Sequence, residues 1–277
     1  MKKIFFAITM MLLGLTGTSA QDSNIFTHLG VGIGVGTPGI GIDLSTNVTD
    51  YVGVRAGVNI MPQFKYSTDV DIKNNTQLQQ NYNDWVQAYP TLHPGGELPS
   101  ATIPSKVDVE GKLKLTTGHI LFDVYPGKSI DWHLTVGAYF GGSKIVNVYT
   151  KDDNQLADIA QYNTYVMGQG QQEYKIGAQL GDYFLEPDAR GHIDADIKVA
   201  GFRPYVGIGY GRAVPKNHTL GFQVDLGVQF WGTPKVYCQG DELTKDNLEG
   251  NDGGFMKTLT KITVYPVLNF RLVGKLF

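Results

Sequence analysis

The chain is poor in the features that mark most soluble enzymes and nucleic-acid binders. It has one cysteine, Cys238, in 277 residues. That excludes an intrachain disulfide framework and a thiolate zinc cluster. Charged residues make up only 18%, and the formal charge is −3, which speaks against nucleic acid as a partner. Beyond the first twenty residues no run approaches the roughly 18 continuous apolar residues of a membrane-spanning helix. Glycine, with 35 residues, and tyrosine, with 15, are abundant instead. The length suits one all-β domain or two smaller units, and is enough for a substantial core.

Lys2 and Lys3 precede a mostly apolar stretch over residues 4–15, and Thr18-Ser19-Ala20 offers small residues before Gln21. This pattern predicts a secretory signal peptide over 1–20 and leaves 21–277 as one domain. No cysteine follows the apolar stretch, so lipoprotein processing is not expected.

Much of the remaining chain alternates with period two. Leu29, Val31, Ile33 and Val35 alternate with glycines. Val52, Val54, Ala56, Val58 and Ile60 alternate with Gly53, Arg55, Gly57 and Asn59. Trp132 to Phe140, Pro204 to Tyr210 and Leu220 to Phe230 repeat the pattern. The apolar set carries no charge, and the other set is glycine, Arg, Asp, Gln and Tyr. Each run is about the 9–11 residues that a tilted strand needs to cross a bilayer. Apolar faces end in aromatics, as interfacial girdles do: Trp132 and Phe140, Phe202 and Tyr210, Phe222 and Phe230. A closed barrel satisfies all its backbone groups within lipid, which an open sheet cannot. The expected fold is therefore all-β, an eight-stranded antiparallel transmembrane β-barrel with long extracellular loops. The alternative is a soluble lipocalin-like barrel with its apolar set turned inward.

The eight strands fall at about 27–36, 39–47, 51–61, 107–125, 131–148, 192–212, 219–236 and 262–277. The connections at 48–50, 126–130 and 213–218 are short, and those at 62–106 and 149–191 are long. Only Thr37-Pro38-Gly39 breaks this rule of short inner turns and long outer loops. Two strands change apolar parity, around Thr116-Thr117-Gly118 and around Gly201, which predicts β-bulges where the strands extend beyond the membrane. In the long loops, Thr76 is a candidate cap for a helix carrying Leu78, Tyr82, Trp85, Val86 and Tyr89 and stopped by Pro90. Asp152 or Asp153 is a candidate cap for another, carrying Leu156, Ile159 and Ala160. Tyr82, Trp85 and Tyr89 are candidates for an extracellular contact surface, and packing on the barrel rim is the plainer expectation.

The run Phe202-Arg203-Pro204-Tyr205-Val206-Gly207-Ile208-Gly209-Tyr210-Gly211 resembles a recurring strand of small outer-membrane β-barrel proteins. Asp225-Leu226-Gly227 through Gly232-Thr233-Pro234-Lys235-Val236, Phe122 to Pro126, Gly36 to Gly39 and Val264 to Val267 are similar to stretches of that family, and the chain ends in Phe277. The resemblance implies the outer membrane of a diderm bacterium, with lipid and the barrel-assembly machinery as partners. It implies no single activity. The terminal strand departs from the usual pattern. Lys275, Val273, Arg271 and Asn269 occupy the positions counted back in twos from Phe277, while Leu268, Phe270, Leu272 and Leu276 are one step out of phase. Either the last residue hangs off the strand or a bulge restores the register.

Gly34-Val35-Gly36-Thr37-Pro38-Gly39 matches GxGxxG, but Pro38 and another strand follow where a dinucleotide site needs a helix. The charges of inward parity are Asp43, Arg55, Asp123, His133, Arg203 and Asp225. Turn lengths place Asp43 opposite Arg55 and Asp123 opposite His133. A charge in a narrow interior needs a partner, so an interior salt-bridge network is expected. An Asp–His pair also suits general-base chemistry, yet no serine is placed beside it. His192-Ile193-Asp194-Ala195-Asp196 could suggest a metal, but two ligand types on one short strand are weak evidence, and Asp152, Asp153, Asp182 and Asp188 do not form a calcium-loop pattern. No catalytic residue, cofactor or metal is assigned. The expected role is a non-enzymatic surface or structural barrel with an unidentified extracellular ligand or partner. The alternatives are a narrow solute pore, recognised by conductance, a lipid-modifying enzyme, recognised by altered lipid A, and a secreted carrier, recognised by solubility.

Overall fold

The computed structural model describes residues 28–152, 155–244 and 261–276; the expected signal peptide, Asp153 and Phe277 lie outside them. The outer end of the molecule is the end that carries its long insertions. The chain rises as β1 (Leu29–Gly36), descends as β2 (Gly39–Thr49) and rises again as β3 (Val52–Ile60). It leaves the barrel for β4 (Phe64–Asp71) and helix α1 (Thr76–Leu92), then returns through β5 (Lys106–Leu113) into β6 (Thr116–Val124). β7 (Trp132–Gly141) climbs into β8 (Lys144–Thr150). Helix α2 (Ala157–Gly168) and the pair β9 (Ala178–Leu180) and β10 (Tyr183–Leu185) precede β11 (Asp194–Lys198), which leads down into β12 (Phe202–Tyr210). β13 (Leu220–Phe230) climbs into β14 (Lys235–Cys238) and β15 (Asp241–Glu242), and β16 (Val264–Lys275) completes the fold.

Eight of these strands close in the order β1-β16-β13-β12-β7-β6-β3-β2, every neighbour antiparallel. Closure leaves no unpaired strand edge, the condition for strands in lipid. The expected eight-stranded barrel is therefore present, and it is turned apolar-side out. Ile33 is 61% and Leu226 56% exposed, whereas Arg203, Gln223 and Arg271 are 0% exposed. That excludes an inward apolar cavity of the lipocalin kind. The six aromatics expected as girdles are all exposed, and the register sets Phe202 against Phe140 and Tyr210 against Trp132 at opposite ends of β12.

Five barrel strands run on into a second, six-stranded sheet of order β15-β14-β11-β8-β5-β4. No bulge is seen where β5 meets β6, where the strands break instead; near the second expected site the β11–β8 ladder shifts register between Ile197 and Lys198, and the chain then breaks before β12. Odd-numbered residues point inward on both sides of each break: Val107 and Val109 then His119 and Asp123, and Ala195 and Ile197 then Arg203 and Tyr205. What changes is the medium. The lower strands put apolar residues toward lipid, and the upper strands put them toward a core shielded from water.

That core is the largest apolar cluster of the molecule. It joins Val107, Val109, Val148, Ala195, Ile197 and Val236 of the sheet to Leu78, Tyr82 and Trp85 of α1 and Ile159, Tyr162 and Val166 of α2. The helices thus pack on the upper sheet rather than on the barrel rim, because the sheet supplies the matching apolar face. Asn75, not Thr76, caps α1, accepting from the Leu78 amide at 2.8 Å. Pro90 lies inside the helix, which runs on to Leu92. Leu156 precedes α2 with no side-chain cap, so Asp152 does not cap it. The water-facing side of the sheet is a polar ladder. Lys65 pairs with Glu110 at 3.0 Å, Lys112 lies 4.0 Å over the Tyr149 ring and Lys198 3.7 Å over that of Tyr237. At the other end of the chain, β16 pairs with β13 without a register shift from Leu220↔Gly274 to Phe230↔Val264. No bulge restores phase there; Leu268, Phe270 and Leu272 face lipid and Arg271 faces inward.

Candidate functional site: the barrel interior

The lumen is filled in layers, beginning at the inner mouth. There the turn between β12 and β13 folds into the barrel rather than away from it. Ala213 and Val214 are fully buried. The Ala213 amide donates to Tyr125 Oη at 2.8 Å, and its carbonyl accepts from Ser45 Oγ at 2.7 Å and Arg271 Nη1 at 3.0 Å. Arg212 holds the turn in place. Its guanidinium donates to the carbonyls of Asp50, Gly127, Lys128 and Ile130 and to the Asp131 carboxylate, and it lies 4.4 Å over the Tyr125 ring. Gly53 leaves the space: a Cβ there would meet the Ala213 methyl at 2.7 Å.

Above this plug, Arg271 of β16 reaches over β1 to Asp43 of β2. Its Nε lies 3.0 and 2.9 Å from the two carboxylate oxygens and its Nη2 lies 2.5 Å from Oδ1. Gly32 of β1 makes the reach possible, because a Cβ there would occupy the position of the guanidinium. Nη1 of Arg271 also donates to Gln223 Oε1 at 2.9 Å.

The next layer centres on Arg55. It donates to Asp225 at 2.8 and 3.0 Å and to Asp123 Oδ1 at 2.8 Å. Thr135 Oγ1 and Gln223 Nε2 donate to Asp123 at 2.8 and 3.1 Å, and His133 Nε2 lies 3.0 Å from Asp225 Oδ1. Ligand atoms of Asp123, His133 and Asp225 all lie within 4.8 Å of one another, a spacing compatible with a metal, but the Arg55 guanidinium supplies the cation between the two carboxylates. Higher still, Asn59 bonds His119 at 2.9 Å, and Tyr139 packs edge-on to Tyr205 with ring centroids 5.5 Å apart.

The structure therefore brings Arg55, Asp123, His133 and Asp225 into one cluster, but not by the expected pairings. Ser45, not Asp43, stands opposite Arg55, and Asp43 stands opposite Gly57. Thr135, not His133, stands opposite Asp123. Both hairpins are two residues longer in their register sum than the expected turns allow, and a register shift between Asn47 and Thr49 accompanies the first. Asp43 joins Arg271 instead. Arg203 stands apart from the network, and its one hydrogen bond is Nη1 to the Gly142 carbonyl at 3.1 Å. Arg271, Gln223, Ser45 and the plug are absent from the expected set. Arg271 was visible only as part of the out-of-phase terminal strand. Tyr82, Trp85 and Tyr89 are buried in the upper core, so their rings anchor α1 and do not face a partner. Cys238 is also buried there, and burial pushes its thiol up to about 11, away from ready reactivity.

These features define a transmembrane β-barrel with a filled polar interior and a folded outer module. No family model and no curated protein matches the chain. Two crystal structures from Acinetobacter baumannii are similar to it. The protein titled CarO2 shares 15% identity over 90% of this chain and 98% of its own, with a TM-score of 0.43. The protein titled CarO shares 13% over 92% and 99%, with a TM-score of 0.41. The strand order and register stand on this chain's own geometry.

Proposed function

We propose that the protein is a non-enzymatic barrel of the outer membrane of a diderm bacterium, placed there by the barrel-assembly machinery, and that it presents its outer module for structural or surface contact. One observation carries this reading. The lumen is closed by the Arg212-anchored turn and by two charge layers, while the outer end continues into a packed sheet with a polar face. An eight-stranded barrel filled in this way suits display better than diffusion. The non-enzymatic part rests on His133. It is buried, and its ring nitrogens meet Asp131 O, Asp225 and Gln223, none of them a hydroxyl nucleophile.

The test combines location, orientation and conductance. Outer membranes should contain a species whose mobility in SDS shifts on boiling. An impermeant amine reagent on intact cells should label Lys106, Lys144 and Lys235 of the outer sheet and spare Lys128 of an inner turn until lysis. Purified protein in planar bilayers should give no stepwise conductance; stable steps would favour the narrow pore. Labelling of Lys128 on intact cells would reverse the orientation.

A further inference from the structure

Arg203 is the one interior guanidinium to which the described residues give no acid. It lies on β12, opposite Tyr139, and is fully buried. An arginine stays charged under all ordinary conditions, and an unpaired buried charge is strongly unfavourable. The three interior carboxylates are already engaged, Asp43 with Arg271 and Asp123 and Asp225 with Arg55. Nη1 of Arg203 is held by the Gly142 carbonyl. Nε and Nη2 have no hydrogen-bond partner among the described residues.

These two nitrogens form a single edge of the guanidinium, the fork that matches two oxygens of one carboxylate or phosphate. The same barrel shows what that edge does when an acid is supplied. Nε and Nη2 of Arg271 grip Asp43. At Arg203 the fork is built and buried, but the described residues supply no oxygen for it. Its head lies at the junction between barrel and outer sheet, where Gly141, Gly142 and Gly201 are exposed. A Cβ at Gly201 would meet only the Gly141 carbonyl, at 3.5 Å, so the chain is lightly packed at this junction.

We propose that the free edge of Arg203 is a binding site for a small oxyanion, a carboxylate or a phosphate, entering through the glycine junction between barrel and outer sheet. The anion is one free in solution, because the side chain points into the lumen and away from lipid. The site is independent of any contact made by the outer module.

The experiment is calorimetric titration of the full, detergent-folded protein with inorganic phosphate and, separately, with acetate, at constant ionic strength. One saturable site is expected for at least one of the two, and the preferred probe identifies the anion class. Arg203→Gln should weaken that binding by about tenfold or more while the boiling-dependent mobility shift persists. Arg203→Lys, which keeps the charge but loses the fork, should fall between. Binding of neither anion by the wild type, or unchanged binding by folded Arg203→Gln, would overturn the proposal. If Arg203→Gln does not fold, wild-type crystals soaked in selenate decide. An anomalous selenium peak on the Nε–Nη2 edge supports the site, and none there overturns it.

Discussion

At the scale of single residues, the interior is a set of charges whose partners come from distant strands. Arg271 and Asp43 are both nearly inaccessible, so removing either one leaves the other charged and unpaired. Arg271→Met or Asp43→Asn alone is expected to cost about 3–5 kcal/mol, and the double variant distinctly less than the sum of the two. The temperature at which the SDS-resistant form is lost measures both. This pair also shows where sequence reading stops. Inward parity picked out Asp43, Arg55, Asp123, His133 and Asp225, all of which are buried, because alternation along a strand is local. It did not assign partners, because a two-residue change in a turn slides every facing pair. It did not join Arg271 to Asp43, because that bond depends on barrel closure and on the missing side chain of Gly32.

At the scale of elements, the strand pattern was legible and the outer module was not. Alternation located the inner ends of the barrel strands to within a few residues, but at the outer ends of β6, β7, β12 and β13 the expected strands overran the barrel by six to ten residues. The stretches beyond the breaks read as phase errors, since nothing local states that the strand has left lipid for water. Their apolar side chains belong to the core beneath α1 and α2. Trp85 is buried there between Tyr82 and Tyr89, with ring centroids 5.4 and 5.2 Å away. Trp85→Ala should destabilise the module by about 3–5 kcal/mol yet leave the barrel closed. Limited proteolysis would then trim the outer segments while the boiling-dependent shift survives. At the free edge of the upper sheet, Asp69 and Asp108 stand directly opposite each other. A hydrogen bond donated to Asp69, then the like charge of Asp69, hold the Asp108 carboxyl above the usual carboxylate range. The folded sheet therefore binds this proton more tightly than the unfolded chain. Its stabilising effect is complete below the ordinary aspartate value, about pH 4, and is lost as pH rises through the raised one. Protease sensitivity of β4 should increase over that interval, and Asp69→Asn should remove the dependence.

At the scale of the whole molecule, the interior ties together the two ends of the chain. The Arg271–Asp43 contact crosses β1 and links residues 228 apart, and the Ala213 carbonyl that closes the inner mouth rests on the same arginine. Seam and plug are thus secured by one side chain on the last strand. A contact of such long range forms only after the intervening chain is in place, and topologies rich in such contacts fold slowly. An interaction made after the transition state governs unfolding far more than folding. The bond between the last strand and the second is therefore expected to act as a latch on lifetime: unfolding and refolding rates followed by the boiling-dependent shift should show that loss of Arg271 or Asp43 shortens the residence of the closed barrel and leaves its rate of assembly nearly unchanged.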